Sequence, residues 1–302
     1  MSKYSRRDFL KSTVAAGAIA GVGGLTIPNA ASAAPAARKA TDFVTLGNSG
    51  VKVTRLAFGT GTYGGRVQRE LGQEQFNRLV RHAYDSGIRF FETAEAYTGM
   101  PEMLGIALKG IPRDSYALMT KYRLRSTDDP KTKIDAYRKT LNSEYFDILL
   151  LHCVRGAEWA EQFKPIRDEF DNAKQKKIIS AHGASVHGLI PLRTFPANDW
   201  LDVALMRVNH KGTRMDTLKN AENEDLGDVS EVMSHVKKVH ARGVGVLGMK
   251  LVGEGRFTTP EDREAAMRFV MGSGAVDAVT IGFKSPAEID EAIERMNRSL
   301  KA

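Results

Sequence analysis

The sequence predicts a (β/α)8 barrel, also called a TIM barrel, with a short N-terminal β-hairpin. Eight short apolar runs have the composition of buried strands, and amphipathic segments with helical spacing lie between them. This alternation over about 250 residues is typical of parallel strands joined by right-handed helical crossovers. The predicted strands are 55–58, 88–91, 116–120, 146–151, 178–181, 201–208, 244–249 and 275–281, and the predicted helices are 75–84, 102–108, 132–141, 158–173, 229–241, 260–271 and 286–296.

The N-terminal residues have the pattern of a twin-arginine export signal. Arg6 and Arg7 precede Phe-Leu-Lys, a weakly apolar stretch over 12–27 and a small-residue cleavage site at 31–33. The apolar stretch is shorter than the roughly 20 residues of a membrane span. We expect the twin-arginine export machinery as a partner, a periplasmic location, and no stable membrane span in the mature form. The expected division is a signal peptide over 1–33, a linker over 34–42 and the barrel over 43–302.

The first predicted barrel strand is flanked by a turn sequence and a glycine-rich loop. Before it, apolar runs at 43–46 and 51–53 enclose Gly-Asn-Ser-Gly, which predicts the β-hairpin. After it, residues 59–65 are rich in glycine but lack the G-x-G-x-x-G spacing of a doubly wound sheet, the structural alternative to a barrel. We interpret them as a strand-to-helix loop where a ligand approaches the backbone, with Thr60 as a candidate cofactor-binding residue.

Four polar residues after the apolar runs of three predicted strands form a candidate catalytic group: Glu92, Tyr97, Lys121 and His152. The carboxyl ends of parallel strands meet at one face of a barrel, so these side chains are expected to share a pocket. A carbonyl that accepts hydride needs a proton at its oxygen, and Tyr97 is the predicted donor. We expect Lys121 to lower the pKa of the Tyr97 phenol and Glu92 to orient the lysine. His152 is expected to donate a second hydrogen bond to the carbonyl oxygen.

The segments around these residues resemble the aldo/keto reductase family. Residues 91–97 are similar to the family's F-D-T-A-x-x-Y, and residues 102–110 to its E-x-L-G-x-A-L-K-G helix. Thr120-Lys121 matches the lysine of the third strand, and residues 145–152 match Y-x-D-x-L-L-L-H. The resemblance covers residues 43–298. It implies a barrel that binds NADP(H), or NAD(H) as the alternative, without a Rossmann fold, and that interconverts small carbonyl or sugar-like substrates with their alcohols.

The chain departs from the family pattern at three places near the expected nicotinamide. Glu92 replaces the family's aspartate, which leaves open whether the carboxylate still pairs with the lysine. The fifth strand lacks the asparagine that holds the carboxamide, leaving Ser185, and His187 beside it, for that contact. Leu205 and Val208 stand where many members have glutamine and tyrosine, so the aromatic platform under the nicotinamide ring is expected to be absent.

The phosphate-binding positions of the resemblance are partly retained. Lys284 and Ser285 precede the last predicted helix, whose N-terminus favours an anion, and they are the candidates for the 2′-phosphate. Glu288 stands where many members have arginine or glutamine, and its charge opposes a phosphate. Lys250, after the seventh strand, is the candidate for the pyrophosphate, with a surface lysine as the equal alternative.

The segment after the sixth strand is long and polar. Arg207 and His210 lie near the expected site and are predicted to reach it from this loop. Residues 211–228 are rich in Asn, Asp and Glu, and such insertions at the catalytic face form lids or substrate contacts. A plain surface loop is the open alternative.

Composition and spacing argue against several other classes of protein. The net charge of +8 is spread along the chain without a dense basic block, so nucleic-acid binding is not implied. The histidines show no metal-site spacing, and the single cysteine, Cys153, is interpreted as a small filler at a strand end. Two functions stay open: an NAD(P)(H)-dependent oxidoreductase, and an exported barrel that binds a ligand or senses redox state with little or no turnover.

Overall fold

The described residues fold into a closed barrel of eight parallel strands preceded by an antiparallel hairpin, as the sequence predicted. The computed structural model describes residues 38–124, 129–219 and 226–301, so the predicted signal peptide lies outside the described residues. In the hairpin, β1 (Phe43–Thr45) pairs with β2 (Lys52–Thr54). The barrel strands, which pair in chain order and close with the last beside the first, are β3 (Leu56–Gly59), β4 (Phe90–Glu92), β5 (Ala117–Arg123), β6 (Phe146–Val154), β7 (Ile179–Val186), β8 (Val203–Arg207), β9 (Gly245–Met249) and β10 (Ala278–Gly282).

Three barrel strands continue at least three residues further than their apolar runs indicated. β5 ends at Arg123, β6 at Val154 and β7 at Val186, each beyond its predicted end. Lys121 and His152 therefore lie inside strands rather than just past them. The prediction stopped short because a polar side chain ends an apolar run, whereas its backbone still pairs with the neighbouring strand at the mouth of the barrel.

The helices lie between the strands as predicted, with three differences. A four-residue helix over Arg66–Arg69 was not predicted. The predicted helix over 158–173 is divided, because Pro165 stands in the first turn of a new helix that begins after Phe163. A six-residue helix after β7 was not predicted, because it is too short to show a clear amphipathic period. The helices are α1 (Arg66–Arg69), α2 (Gly72–Asp85), α3 (Met100–Ala107), α4 (Pro130–Thr140), α5 (Trp159–Gln162), α6 (Lys164–Gln175), α7 (Leu189–Thr194), α8 (Val229–Ala241), α9 (Pro260–Gly272) and α10 (Pro286–Ser299).

The hydrophobic core has an outer layer between strands and helices and an inner layer inside the barrel. Leu46 and Val53 of the hairpin segment belong to the inner layer, where they pack with barrel side chains such as Phe90 and Ile148. Gly47 bridges to Val244, just before β9, so the hairpin covers the amino ends of the strands. The carboxyl ends form the opposite, open face, which is where barrel enzymes place their sites.

Part of the predicted linker packs against the barrel. Ala40 is fully buried, and its N–H donates to Asn297 Oδ1 at 2.7 Å. Its carbonyl accepts from the N–H of Leu56 at 3.0 Å. The barrel unit thus begins before residue 43. Among the described residues, no helix is both long and apolar enough to cross a membrane.

Candidate active site

The structure brings the four predicted catalytic residues together at the carboxyl face of the barrel. Side chains alternate along a strand, so Glu92, Lys121 and His152 point inward, two positions after the inner-layer residues Phe90, Met119 and Leu150. Lys121 Nζ donates to the Glu92 carboxylate, to Thr93 O at 3.0 Å and to Tyr97 Oη at 3.1 Å. The longer Glu92 side chain therefore keeps its ion pair with the lysine, and the displaced-lysine alternative does not hold in this structure.

A threonine that the sequence did not indicate completes this group. Thr280 on β10 donates from Oγ1 to Glu92 Oε2 at 3.0 Å. The Lys121–Glu92 ion pair is almost fully buried, with 1% of the Lys121 side chain and 4% of the Glu92 side chain exposed. A buried ion pair needs such additional hydrogen bonds to offset the desolvation of its charges. Thr280 lies 188 residues from Glu92 in the chain, and the two meet only because β10 closes the barrel.

Burial dominates the ionisation of Tyr97. Burial raises the pKa of the Tyr97 phenol well above its ordinary value, and the negative charge of Glu92 raises it further. Burial also lowers the pKa of Lys121, while its contact with Glu92 acts in the opposite direction. The net direction for the phenol is thus upward, and the lowering of its pKa by the lysine stays a prediction. With a raised pKa, Tyr97 is a neutral phenol near neutral pH.

His152 lies across the pocket from Tyr97. The two ring centroids are 5.5 Å apart and the rings are perpendicular, at 88°. The pairing of β6 with β7 shifts register between Leu151 and Val154, and such a bulge re-aims the side chains it contains. Burial, followed by the charge of Lys121, lowers the pKa of His152 to about 3, so the imidazole is neutral and retains one N–H.

His187 is a second imidazole in the same pocket, 6.3 Å from the ring of His152. Its Nδ1 is 2.5 Å from Nη2 of Arg207. Because a guanidinium only donates, Nδ1 must accept, and the ring proton must lie on Nε2. Arg207 belongs to β8 itself, so the expectation that it reaches the site from the following loop was wrong. His210 packs against Phe257 and lines neither of the cavities described next.

Two adjoining cavities meet at Tyr97, Met249 and Lys250, which line both. The first, of about 600 Å³, runs from the catalytic residues to the start of α10. The second, of about 640 Å³, lies on the side of His152 and His187. Both volumes are in the range of about 300–1,000 Å³ that small-molecule sites occupy.

The predicted cofactor-binding residues fall into two groups. Lys250 and Lys284 line the first cavity. Thr60 and Ser185 are fully buried and line neither cavity: the Thr60 hydroxyl contacts Glu92 O at 3.1 Å, and Ser185 Oγ accepts from the N–H of Cys153 at 2.8 Å. The two hydroxyls thus join neighbouring parts of the barrel: Thr60 contacts the last residue of β4, and Ser185 in β7 contacts β6.

The end of the first cavity near α10 carries an acidic residue where the resemblance expects a phosphate. Ser285 caps α10 by accepting from the N–H of Glu288. The Glu288 carboxylate in turn accepts from the N–H of Lys284 at 2.8 Å, a backbone donor that a phosphate would otherwise use. Its negative charge therefore opposes a 2′-phosphate at this point, as the sequence suggested.

Several residues at the two cavities were missed by the sequence reasoning. Arg123 and Arg155 line the second cavity, and Glu254 lines both and accepts from Lys250 Nζ at 2.5 Å. The signal for the two arginines was their place, two positions after Lys121 and three positions after His152, and Glu254 stands four positions after Lys250. In the described parts of the chain, no group of three His, Cys, Asp or Glu side chains could hold a metal ion.

Two family profiles match this sequence. The profile of the aldo/keto reductase family matches residues 55–301, and the twin-arginine signal-sequence profile matches residues 3–23, which confirms both resemblances. A probable aldo-keto reductase of Glycine max is 31% identical over 128 residues, 37% of this chain and 36% of that protein. L-galactose dehydrogenase of Arabidopsis thaliana is 35% identical over 118 residues, 36% of each chain. The aligned part spans about a third of the length of these curated relatives.

Solved structures of aldo-keto reductases have a similar fold. A putative aldo-keto reductase from Pseudomonas aeruginosa shares it with a TM-score of 0.69 at 20% identity, over 88% of this chain and 99% of that one. The family profile covers most of the sequence, and the predicted barrel and its catalytic motifs meet at one face. This chain therefore belongs to the aldo/keto reductase family and carries a twin-arginine signal sequence at its N-terminus.

Proposed function

We propose that this protein is an NAD(P)(H)-dependent oxidoreductase that interconverts a small carbonyl compound and its alcohol by hydride transfer, with Tyr97 as the general acid/base. The observation that carries the proposal is the contact of Lys121 Nζ with Tyr97 Oη at 3.1 Å, held from behind by Glu92. A ligand-binding or redox-sensing barrel without turnover has no need for a buried ammonium aimed at a phenol.

The residues of the first cavity suit a nicotinamide dinucleotide. Gly61 leaves the backbone open beside the reacting group, since a Cβ there would lie 2.6 Å from the Tyr97 ring. Lys250 and Lys284 supply positive charge along the cavity for the phosphates. When bound, the nicotinamide supplies or accepts the hydride. Glu288 limits the preference for a 2′-phosphate, so both NADP(H) and NAD(H) remain candidate cofactors.

The remaining chemistry belongs to the chain's own side chains. In the reducing direction, the Tyr97 O–H donates its proton to the carbonyl oxygen as negative charge develops there, and the phenol becomes a phenolate. Lys121 then donates a hydrogen bond to the phenolate oxygen and stabilises it. The neutral His152 donates its N–H to the same substrate oxygen, which fixes the carbonyl between the two rings. In the oxidising direction the phenolate accepts the proton.

Export adds a constraint on the cofactor. We propose a periplasmic location, where no pool of free NADPH is maintained, and a cofactor loaded before export and retained by the barrel. A second substrate would then restore its redox state in place. Small sugars are candidate substrates, since one relative is named an L-galactose dehydrogenase.

The test is to purify the protein from its native compartment, denature it by heat and identify any released nucleotide by chromatography and absorbance. Stoichiometric NADP(H) or NAD(H) is the expected result. The same preparation should then reduce simple aldehydes, and Tyr97→Phe should not. A protein that is empty and also binds neither added NADPH nor added NADH would refute the proposal.

A further inference from the structure

The second cavity carries an excess of positive charge. Among the described residues, five cationic side chains line it, and Glu254 supplies the only carboxylate of that lining. The cationic residues come from several different strand ends and loops around the mouth: Arg123, Arg155, Arg207, Arg214 and Lys250. Charges that line a concave, poorly hydrated wall reinforce one another and raise the local concentration of a counter-charged ligand.

Part of this charge is explained by the cofactor side of the site. Lys250 and Glu254 line both cavities and pair with each other. Arg214 Nε lies 3.5 Å from Glu254 Oε2. This group of two cations and one carboxylate adjoins the expected pyrophosphate. Arg123, Arg155 and Arg207 line only the second cavity, so the cofactor does not account for them.

Arg207 is the most constrained of the three. It is 3% exposed, and its Nη1 lies 3.4 Å from Asp216 Oδ1, while Nη2 holds His187. Among the described residues its Nε has no hydrogen-bond partner. An unsatisfied hydrogen-bond donor on a buried guanidinium costs free energy, so an additional acceptor at this N–H would be favourable. Through Arg207, the Nε2–H of His187 becomes a fixed donor in the cavity.

The two exposed arginines are placed by the catalytic strands. Arg123 follows Lys121 by two positions on β5, and Arg155 follows His152 by three positions, immediately after β6. Because only two or three residues separate each arginine from Lys121 or His152, each arginine backbone must lie close to that residue. An anionic group joined to the reacting carbonyl through a few bonds would lie among these cations.

We infer that the substrate is a carbonyl compound bearing a carboxylate or a phosphate group, which Arg123, Arg155 and the His187–Arg207 pair receive while the carbonyl lies between Tyr97 and His152. The inference rests on the proposed function and names the substrate class of that site. Arg123 and Arg155 select the anion, and Arg207 is a positioning residue that acts through His187.

The experiment compares matched substrates that differ in charge. Succinic semialdehyde is paired with its methyl ester, and glyceraldehyde 3-phosphate with glyceraldehyde. Each is assayed with the wild type, with the double variant Arg123→Gln/Arg155→Gln, and with Arg81→Gln, which removes an exposed arginine of α2 far from the cavities. Both variants replace exposed side chains, so the fold is expected to be retained. Binding of 4-hydroxybutanoate, measured by calorimetry, is a readout that does not depend on turnover.

The wild type should prefer the anionic member of at least one pair by about tenfold or more in kcat/KM, and this preference should fall as salt is added. In the double variant, kcat/KM for the anionic member should fall about tenfold, and kcat/KM for the neutral member should change less than about twofold. The affinity of the double variant for 4-hydroxybutanoate should also fall about tenfold. Arg81→Gln should match the wild type. A preference confined to one pair identifies the anionic group as carboxylate or phosphate.

Turnover of the neutral aldehydes without any anionic preference would overturn the inference and leave the proposed function intact. An equal loss of kcat/KM by the double variant on both members of a pair would also overturn the inference and leave the proposed function intact. If none of the four compounds is reduced with either dinucleotide, the proposed function fails and the inference falls with it.

Discussion

Removing one partner of the buried Lys121–Glu92 pair should destabilise the barrel strongly. Glu92→Gln keeps the shape of the side chain and an oxygen for Thr280, but leaves the Lys121 ammonium without a counter-charge. Both side chains are almost fully buried. Removing a single partner of such a pair costs about 3–5 kcal/mol. We expect Glu92→Gln and Lys121→Met each to lower the free energy of unfolding by this amount.

The double variant decides whether the cost comes from the lost counter-charge. When both charges are absent, no buried ion is left unpaired, and Glu92→Gln/Lys121→Met should lie within about 2 kcal/mol of the wild type. The two single changes would then be strongly non-additive, with a coupling of at least about 4 kcal/mol. Urea unfolding, followed by the fluorescence of the partly or fully buried Trp159 and Trp200, measures all four proteins. Glu70→Gln, which removes an exposed carboxylate from α1's end, should show no measurable change and serves as the control.

The pH dependence of Glu92→Gln gives an independent check. Without its counter-charge, burial lowers the pKa of Lys121 further in the folded state, while the unfolded chain keeps the ordinary value. Between these two values the unfolded state binds more protons, so stability should rise with pH and the variant should recover part of its loss as pH increases from 7 towards 10. Two results would refute the reasoning. One is a single variant whose free energy of unfolding falls by less than about 1 kcal/mol, and the other is a double variant whose loss equals the sum of the two single losses.

The other predictions concern the reaction, its pH range and the cofactor. Tyr97→Phe should lower kcat by at least about a hundredfold in a steady-state assay, while the dissociation constant for the nucleotide changes less than about twofold; equal losses in both would contradict its role as the acid. Because burial lowers the pKa of His152 to about 3, the unfolded chain takes up its proton first as pH falls, so stability should rise between about pH 4 and 7, and His152→Gln should flatten that rise in urea titrations. Glu288→Gln should improve NADPH affinity by about tenfold in a fluorescence titration and leave NADH within about twofold, since it removes a repelling charge; an equal gain for both would argue against a 2′-phosphate near α10.

The alternation of apolar runs and amphipathic segments was sufficient to predict the barrel, its hairpin and most of its helices. These patterns are local, because a strand buried on both faces needs a continuous apolar run and a helix needs apolar residues at its own period. The strand ends were less accurate. Lys121 and His152 interrupt the apolar runs of β5 and β6 without interrupting the backbone pairing, and a pattern of side chains carries no information about that pairing.

The same distinction holds in the site. Glu92, Tyr97, Lys121 and His152 were predicted together because each follows a strand that ends at the same face of the barrel. Thr280 was not, because its contact with Glu92 joins the last strand to an early one. Thr60 and Ser185 have hydroxyls of the type that a cofactor uses, yet these contact the backbone of neighbouring strands instead.

The sequence by itself determined the fold, the family and the four polar residues of the candidate site, because these depend on residue type, order and spacing along the chain. Only the tertiary structure decided which groups are buried and which charges share a cavity. Burial raises the pKa of Tyr97, and the pairing of β5 to β8 places Arg207 and His187 around the same cavity as Arg123 and Arg155. Both effects depend on distances in space between residues that are distant in the chain, and the solvent that surrounds each charge is known only once the chain has folded.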